Sequence, residues 1–224
     1  MKVLIFGATG MVGQGVLREC LLDSDVAVVQ TIGRSATGVK HPKLRELVRS
    51  DLTNYSALDN DLSGFDACFF CLGVSSTGMS ESQYETLTYG ITIAAAQTLS
   101  RLNPDMTFVY VSGAGTDSSE KGRVMWARVK GKTESALLRL PFKGAYMFRL
   151  AGIQAVHGER SKTTAYRVAY SFAKPLLPLL RRLFPNYILT TEEIGRAMIQ
   201  VAKRGAPKKI LESSDIRLIA SPDV

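Results

Sequence analysis

At 224 residues the chain fits a single domain with room for a small appended lobe, and it is long enough to bury a sizeable core. Its formal charge of +8 favours anionic partners, from phosphorylated small molecules to nucleic acid or an anionic membrane surface. No basic run is interleaved with aromatics, which argues against a nucleic-acid platform. No uninterrupted apolar run is long enough to span a bilayer, no secretory leader precedes the first apolar stretch, and three cysteines, an odd number, fit a reducing compartment. A cytoplasmic protein without an integral membrane segment is expected.

In chain order, the β-forming run at residues 2–6 breaks into the turn Gly7-Ala8-Thr9-Gly10-Met11-Val12-Gly13, and apolar residues at near-helical spacing follow over 11–22. This reads as strand, tight turn and helix. Gly7 permits a sharp turn, Gly10 leaves no side chain between the helix start and a pyrophosphate, and Gly13 permits close helix–strand packing. Free N–H groups at the helix start make an anion site. Residues 26–32 read as a second strand ending in Gly33-Arg34-Ser35. In a dinucleotide fold that strand end faces the adenine ribose, where an acid would select NAD. Arg34 stands there instead, so NADP is the expected cofactor, with NAD as the alternative.

Residues 44–48 read as a third strand, followed by Asp51-Leu52, a pair suited either to the adenine ring or to a simple loop cap. The fourth strand, 65–72, runs into the Gly/Ser-rich loop 73–78, so the backbone at Cys71, Leu72 and Gly73 is expected to pass the cofactor ribose. Cys68 and Cys71 form a C-x-x-C inside this apolar run, where a thioredoxin-type pair would open a helix, so both are read as small buried residues. A long helix over 80–102 carries Ala94-Ala95-Ala96 for close packing. Strand 106–111 delivers Ser112 at its carboxyl end, and a helix with Trp126 and Lys130 on one face follows a polar loop. Residues 144–150 are a sixth strand, and 208–212 a final edge strand. This alternation predicts an α/β, Rossmann-type doubly wound parallel sheet with helices on both faces.

The last third changes character. Residues 163–184 hold Tyr166, Tyr170, Phe172, two Pro-Leu-Leu repeats and Arg181-Arg182, and Pro178 breaks any helix there. A lid over a substrate pocket, a buried corner and a membrane-touching segment are the readings, in that order. Residues 151–190 are thus expected to form a small C-terminal, substrate-side lobe of one domain spanning 1–224. Thr190-Thr191-Glu192-Glu193 reads as the capped start of a helix reaching about residue 203.

With Gly7-x-x-Gly10-x-x-Gly13, Asp51-Leu52, Ser112, Lys130 and the stretches 129–134, 191–193 and 210–214, the chain resembles the atypical short-chain dehydrogenase/reductase superfamily. It resembles in particular the NAD(P)-binding epimerase-like and HIV Tat-interacting-protein-like oxidoreductases, over nearly its whole length. The resemblance implies hydride transfer between a nicotinamide and a carbonyl, with Ser112 orienting the carbonyl and Lys130 on the nicotinamide ribose, lowering the pKa of a tyrosine four residues earlier. Here that position is Trp126, whose indole N–H only donates. The family's helix asparagine is also missing, and no proline follows Arg149. Tyr84, Tyr89, Tyr166 and His157 are alternative proton sources, each equally readable as a packing, surface or loop residue, and Trp126 is a candidate wall or stacking platform. The expected activity is NADP-dependent reduction of a small apolar carbonyl or quinone-like substrate. The alternative is a non-catalytic NADP(H)-binding regulator acting through a protein partner, and a homodimer is a further possibility.

Overall fold

The computed structural model describes residues 1–159, 181–184 and 186–221. The strands are β1 (Lys2–Phe6), β2 (Val28–Gly33), β3 (Leu44–Val48), β4 (Ala67–Phe70), β5 (Thr107–Gly113), β6 (Gly144–Leu150), β7 (Gly152–Gln154), β8 (Ile188–Thr190) and β9 (Ile210–Glu212). Seven of them form one parallel sheet in the order β3-β2-β1-β4-β5-β6-β9. β1 explains the architecture: Val3 and Ile5 enter one core, Leu4 and Phe6 the other, and all four are inaccessible to solvent. A strand apolar on both of its alternating faces requires a sheet covered twice.

One face is covered by α1 (Met11–Leu22), α6 (Thr191–Arg204) and α7 (Ser213–Ala220), which contribute Val16, Cys20, Ile194, Met198 and Ile216 to its core. The opposite face is covered by α4 (Ile91–Leu102) and α5 (Met125–Leu138), with Ala95, Ala96, Leu99 and Leu137. The short helix α2 (Asp59–Leu62) lies between β3 and β4 in the chain. This is the Rossmann-type doubly wound fold. The strand order reverses between β1 and β4, and the diverging loops there open a crevice at the carboxyl edge of the sheet.

Several boundaries differ from the sequence reading. β2 begins at Val28 because Val26 is still held in a turn by the carbonyl of Asp23. β4 is shorter than 65–72 because the N–H of Phe65 donates to the side chain of Asn103 instead of the ladder. β5 runs on to Gly113, which places Ser112 within the sheet opposite Arg149. The single helix expected over 80–102 is interrupted: α3 (Glu81–Glu85), with a Ser80/Gln83 capping box, passes through a π turn (Thr86–Gly90) before α4. A π turn has no compositional signature, and it turns both Tyr84 and Thr88 into the interior. The predicted cap before α6 is present as a Thr190/Glu193 box.

β7 and β8 form a separate two-stranded parallel sheet that the sequence reading did not contain. It pins residue 152 against residue 188. Most of the 163–184 segment, including Tyr166, Tyr170, Phe172 and the Pro-Leu-Leu repeats, lies outside the described residues. Among the described residues, no helix is long and apolar enough to cross a membrane.

Candidate functional site

The glycine turn is built by exclusion. Gly7 has φ +77°, and a Cβ there would lie 2.6 Å from the backbone N of Leu72. A Cβ on Gly13 would lie 2.1 Å from the carbonyl oxygen of Gly7. Both positions therefore accept only glycine, and helix α1 is drawn tightly onto the end of β1. Gly10, half-buried and extended, is the residue before α1. No side chain caps the helix, and no acid stands in its first turn. The N–H groups of Met11, Val12 and Gly13, in the first turn of α1, have no intrahelical acceptor. Gln14 braces the turn by donating to the carbonyl of Thr9 at 2.9 Å. This uncapped cradle, with no side chain at its closest approaches, fits a pyrophosphate.

On one side of the cradle lie the ends of β2 and β3. Gly33 pairs with Val48, so Arg34 and Arg49 follow side by side. Arg34 is exposed, and it forms no ion pair among the described residues. Arg49 is half-buried, and its Nε has no hydrogen-bond partner among them. Sequence reasoning missed Arg49, because only the strand register brings it beside Arg34. Asp51 accepts from both the N–H and the hydroxyl of Thr53, at 2.7 and 2.6 Å, and these bonds hold its carboxyl below the usual range. Leu52 is buried in the core, where its carbonyl accepts from Tyr55 at 2.7 Å.

On the other side, Cys71 and Leu72 are half-buried beneath Gly7, and Gly73 is exposed. Cys68 packs in one core and Cys71 against the other, since a spacing of three puts them on opposite sheet faces. Burial pushes both thiols up, and neither forms a disulfide. The C-x-x-C is therefore not a redox pair.

Ser112 and Lys130 meet at the carboxyl end of β5. Lys130 Nζ lies 3.4 Å from the carbonyl of Val111 and 3.4 Å from the hydroxyl of Tyr110, over whose ring it sits at 5.1 Å. Burial pulls its ammonium down to about 8, opposed by Glu134 one turn along the helix. Ser112 Oγ is buried, 3.0 Å from Thr116 Oγ1. Thr116 donates to the carbonyl of Gly113 at 2.7 Å, so Ser112 is the donor in the serine–threonine contact. Trp126 is half-buried and lies over Gly113 and Gly115, where added Cβ atoms would be 3.6 and 3.7 Å from its ring.

The other titratable candidates lie apart from this point. Tyr84 is buried, and the ring of Tyr89 is covered by the Lys132 ammonium at 4.8 Å. His157 bonds Glu192 at 2.9 Å and borders a cavity of about 860 Å³ that runs along α1 from Ala8 and Thr9 of the glycine turn to Leu21, with Arg18 and His41 also lining it. Glu19, His157 and Glu192 stand close enough to share a cation. Arg18 and Arg196 already answer the charge of Glu19, however, and Arg196 also binds Glu192.

Residues 7–137 match a family described as NAD(P)H-binding. The chain is 27% identical to FMP52, a mitochondrial protein of Chaetomium globosum, over 95% of this chain and 94% of that one. It is 26% identical to the mitochondrial FMP52-2 of Scheffersomyces stipitis, over 93% and 88%. Among solved structures it resembles a short-chain dehydrogenase/reductase family oxidoreductase from Burkholderia thailandensis, with TM-score 0.69, 16% identity and coverage of 97% and 92%. It also resembles Bordetella bronchiseptica WbmF in complex with NAD+, with TM-score 0.70, 16% identity and coverage of 98% and 76%. These relatives correct the expectation of a cytoplasmic protein, because the FMP52 proteins that the chain matches over nearly its whole length are named mitochondrial. The expectation rested on the lack of a secretory leader, whereas mitochondrial addresses are amphipathic and lack its apolar core.

Proposed function

We propose that this chain, which belongs to the NAD(P)H-binding family, is an NADP-dependent oxidoreductase that reduces a small apolar carbonyl or quinone-like compound. What supports this reading is the order of three features along the carboxyl edge of one sheet: the uncapped, side-chain-free turn after β1 in the middle, two adjacent arginines after β2 and β3 on one side, and Ser112 with Lys130 at the end of β5 on the other. When bound, the reduced nicotinamide supplies the hydride.

The N–H groups of Met11, Val12 and Gly13 hold the pyrophosphate, with Gly7, Ala8, Thr9 and Gly10 forming the floor. Arg34, assisted by Arg49, takes the 2′-phosphate of NADP in a charge-assisted contact. Asp51 and Leu52 border the adenine, and the backbone of Cys71, Leu72 and Gly73 passes the nicotinamide ribose. Lys130 binds that ribose. Ser112 orients the substrate oxygen, turning its hydroxyl from Thr116 to do so. Trp126 walls the substrate side with its apolar face.

The test is a fluorescence titration with NADPH and, separately, NADH. NADPH is expected to bind tighter. Arg34→Ala should weaken NADPH binding about 10- to 100-fold, the loss of one or more charge-assisted hydrogen bonds, while leaving NADH nearly unchanged. Equal loss for both cofactors would remove Arg34 from this role. The purified protein should then oxidise NADPH in the presence of aromatic aldehydes or ortho-quinones.

Trp126 favours a second reading, a non-catalytic NADP(H)-binding regulator that acts through a protein partner. NADPH binding with no turnover across the carbonyl and quinone panel would select it.

A further inference from the structure

We infer that Lys130 is itself the proton donor of the reaction, its ammonium taking the part that a phenol at position 126 would otherwise play. The inference rests on the oxidoreductase reading above. The Nζ–H bond of Lys130 breaks as an O–H bond forms on the substrate carbonyl. The electron pair of the new C–H bond arrives with the hydride from the reduced nicotinamide, and the neutral amine left behind is recharged by a proton from solvent.

Geometry sets aside most of the competitors among the described residues, and the ring of Tyr89 lies under the Lys132 ammonium at 4.8 Å. Trp126 offers only an indole N–H, which does not titrate in water. Tyr110 touches Lys130 but is 1% exposed, and burial pushes its phenol up, so it neither reaches a substrate nor ionises. Tyr84 is 2% exposed and raised by the same cause. Tyr55 donates to the Leu52 carbonyl from within the core, and Tyr146 lies under the Lys209 ammonium near the far edge strand. Ser112 gives its proton to Thr116, and His157 is bound to Glu192 beyond α1.

Lys130, by contrast, is half-buried at the carboxyl rim of β5, with its Nζ at the carbonyl of Val111, the residue before Ser112. Two contacts of 3.4 Å hold it, long for hydrogen bonds and easily given up. Among the described residues, no carboxylate pairs with it. Glu134 is occupied by Arg149 of β6, while Glu81 and Glu85 of α3 are occupied by Arg128 and Lys132. A desolvated, unpaired ammonium is an acid matched to neutral pH, the condition for efficient proton transfer. The buried face of Tyr110 stabilises it by cation–π contact without taking its proton.

The test combines a titration with a charge-conserving substitution. The lysine amines of the whole protein are 13C-dimethylated, and the Lys130 resonance is identified by its absence from Lys130→Arg. Its midpoint should fall near 8, against about 10.4 for surface lysines. A midpoint in the surface range overturns the inference. Turnover is followed with NADPH and benzaldehyde or phenanthrenequinone. Lys130→Arg keeps the cation but cannot release a proton, so NADPH affinity should stay within about threefold while turnover falls about a hundredfold or more.

Turnover retained in Lys130→Arg, or lost instead in Tyr166→Phe or Tyr170→Phe, overturns the inference alone and leaves the oxidoreductase reading standing. NADPH binding with no turnover by the unaltered protein overturns both.

Discussion

Gly13→Ala should lower the melting temperature by about 10 °C and abolish measurable NADPH binding. The added methyl would stand 2.1 Å from the Gly7 carbonyl oxygen, 2.7 Å from its carbon and 2.8 Å from Ala8 Cα. All three neighbours are backbone atoms, so no side chain can rotate away. Relief requires α1 to shift from the end of β1 or the turn to open. Overpacking against movable neighbours costs about 1–3 kcal/mol, and a rigid neighbour puts this case at or above the top of that range. For a chain of this size each kcal/mol moves the melting point by about 2–4 °C. Either form of relief also displaces the N–H groups that form the anion cradle, so stability and binding should fall together. Gly90→Ala is the control: nothing lies within 4 Å of a Cβ there and its φ is helical, so a small gain from reduced unfolded-state entropy is expected. A Gly13→Ala protein that melts normally and still binds NADPH would show that the turn is not held as described.

Glu134→Ala should cost about 3–5 kcal/mol, read as a lower urea midpoint with an unchanged slope. Glu134 is 2% exposed and takes three contacts from the Arg149 guanidinium, at 2.6, 3.1 and 3.2 Å. Arg149 also donates to Ser118 at 2.6 Å and lies 3.5 Å from Glu212, so one guanidinium ties α5, β6, the loop after β5 and the edge strand together. Removing the carboxylate leaves a positive charge in a poorly solvated site with only Ser118 and Glu212 to answer it, which puts the expected loss near the lower end of the range. Replacing both partners, as Glu134→Leu with Arg149→Met, removes the uncompensated charge and should recover more than half of the loss. A single substitution costing under about 1 kcal/mol would mean that solvent reaches the pair freely.

What was legible in the sequence was local. The turn at Gly7, Gly10 and Gly13 lies within one strand–helix unit, and the cap at Thr190 within one helical turn, so both could be read from spacing alone. The C-x-x-C was decipherable because it lies inside an apolar strand-like run, where a thioredoxin-type pair would instead open a helix. The features that needed the folded chain connect distant segments. Arg49 becomes a neighbour of Arg34 only through the Gly33–Val48 register. Tyr110 meets Lys130 only because α5 lies across β5. The pairing of β7 with β8 joins residues 36 positions apart, Gly152 with Ile188 being bridged by a stretch with no strand periodicity, and three-residue strands carry almost no pattern. The π turn was invisible because the sequence 81–102 satisfies an ordinary helix equally well. Lys130 was found through the family resemblance, but its chemistry depends on which carboxylates are already taken, and only the ion pairs reveal that.

The contact between α1 and α6 sets a timetable for synthesis. Gly15 is pressed against Thr191 and Gly195 against Glu19, so closely that a methyl on either would collide at 2.5 or 2.7 Å, and Lys203 clasps Asp23 and Asp25. The helix that opens the nucleotide cradle thus leans on one made far later by the ribosome. At ordinary elongation rates, on the order of 10 s separates the emergence of Leu22 from that of Thr191. Throughout that interval Val16, Leu17 and Cys20 have no covering helix, and the nascent chain presents a sticky half-sheet to its surroundings. A chain stopped before α6 is therefore expected to aggregate, its α1 face left uncovered, which a solubility assay of the fragment 1–187 checks.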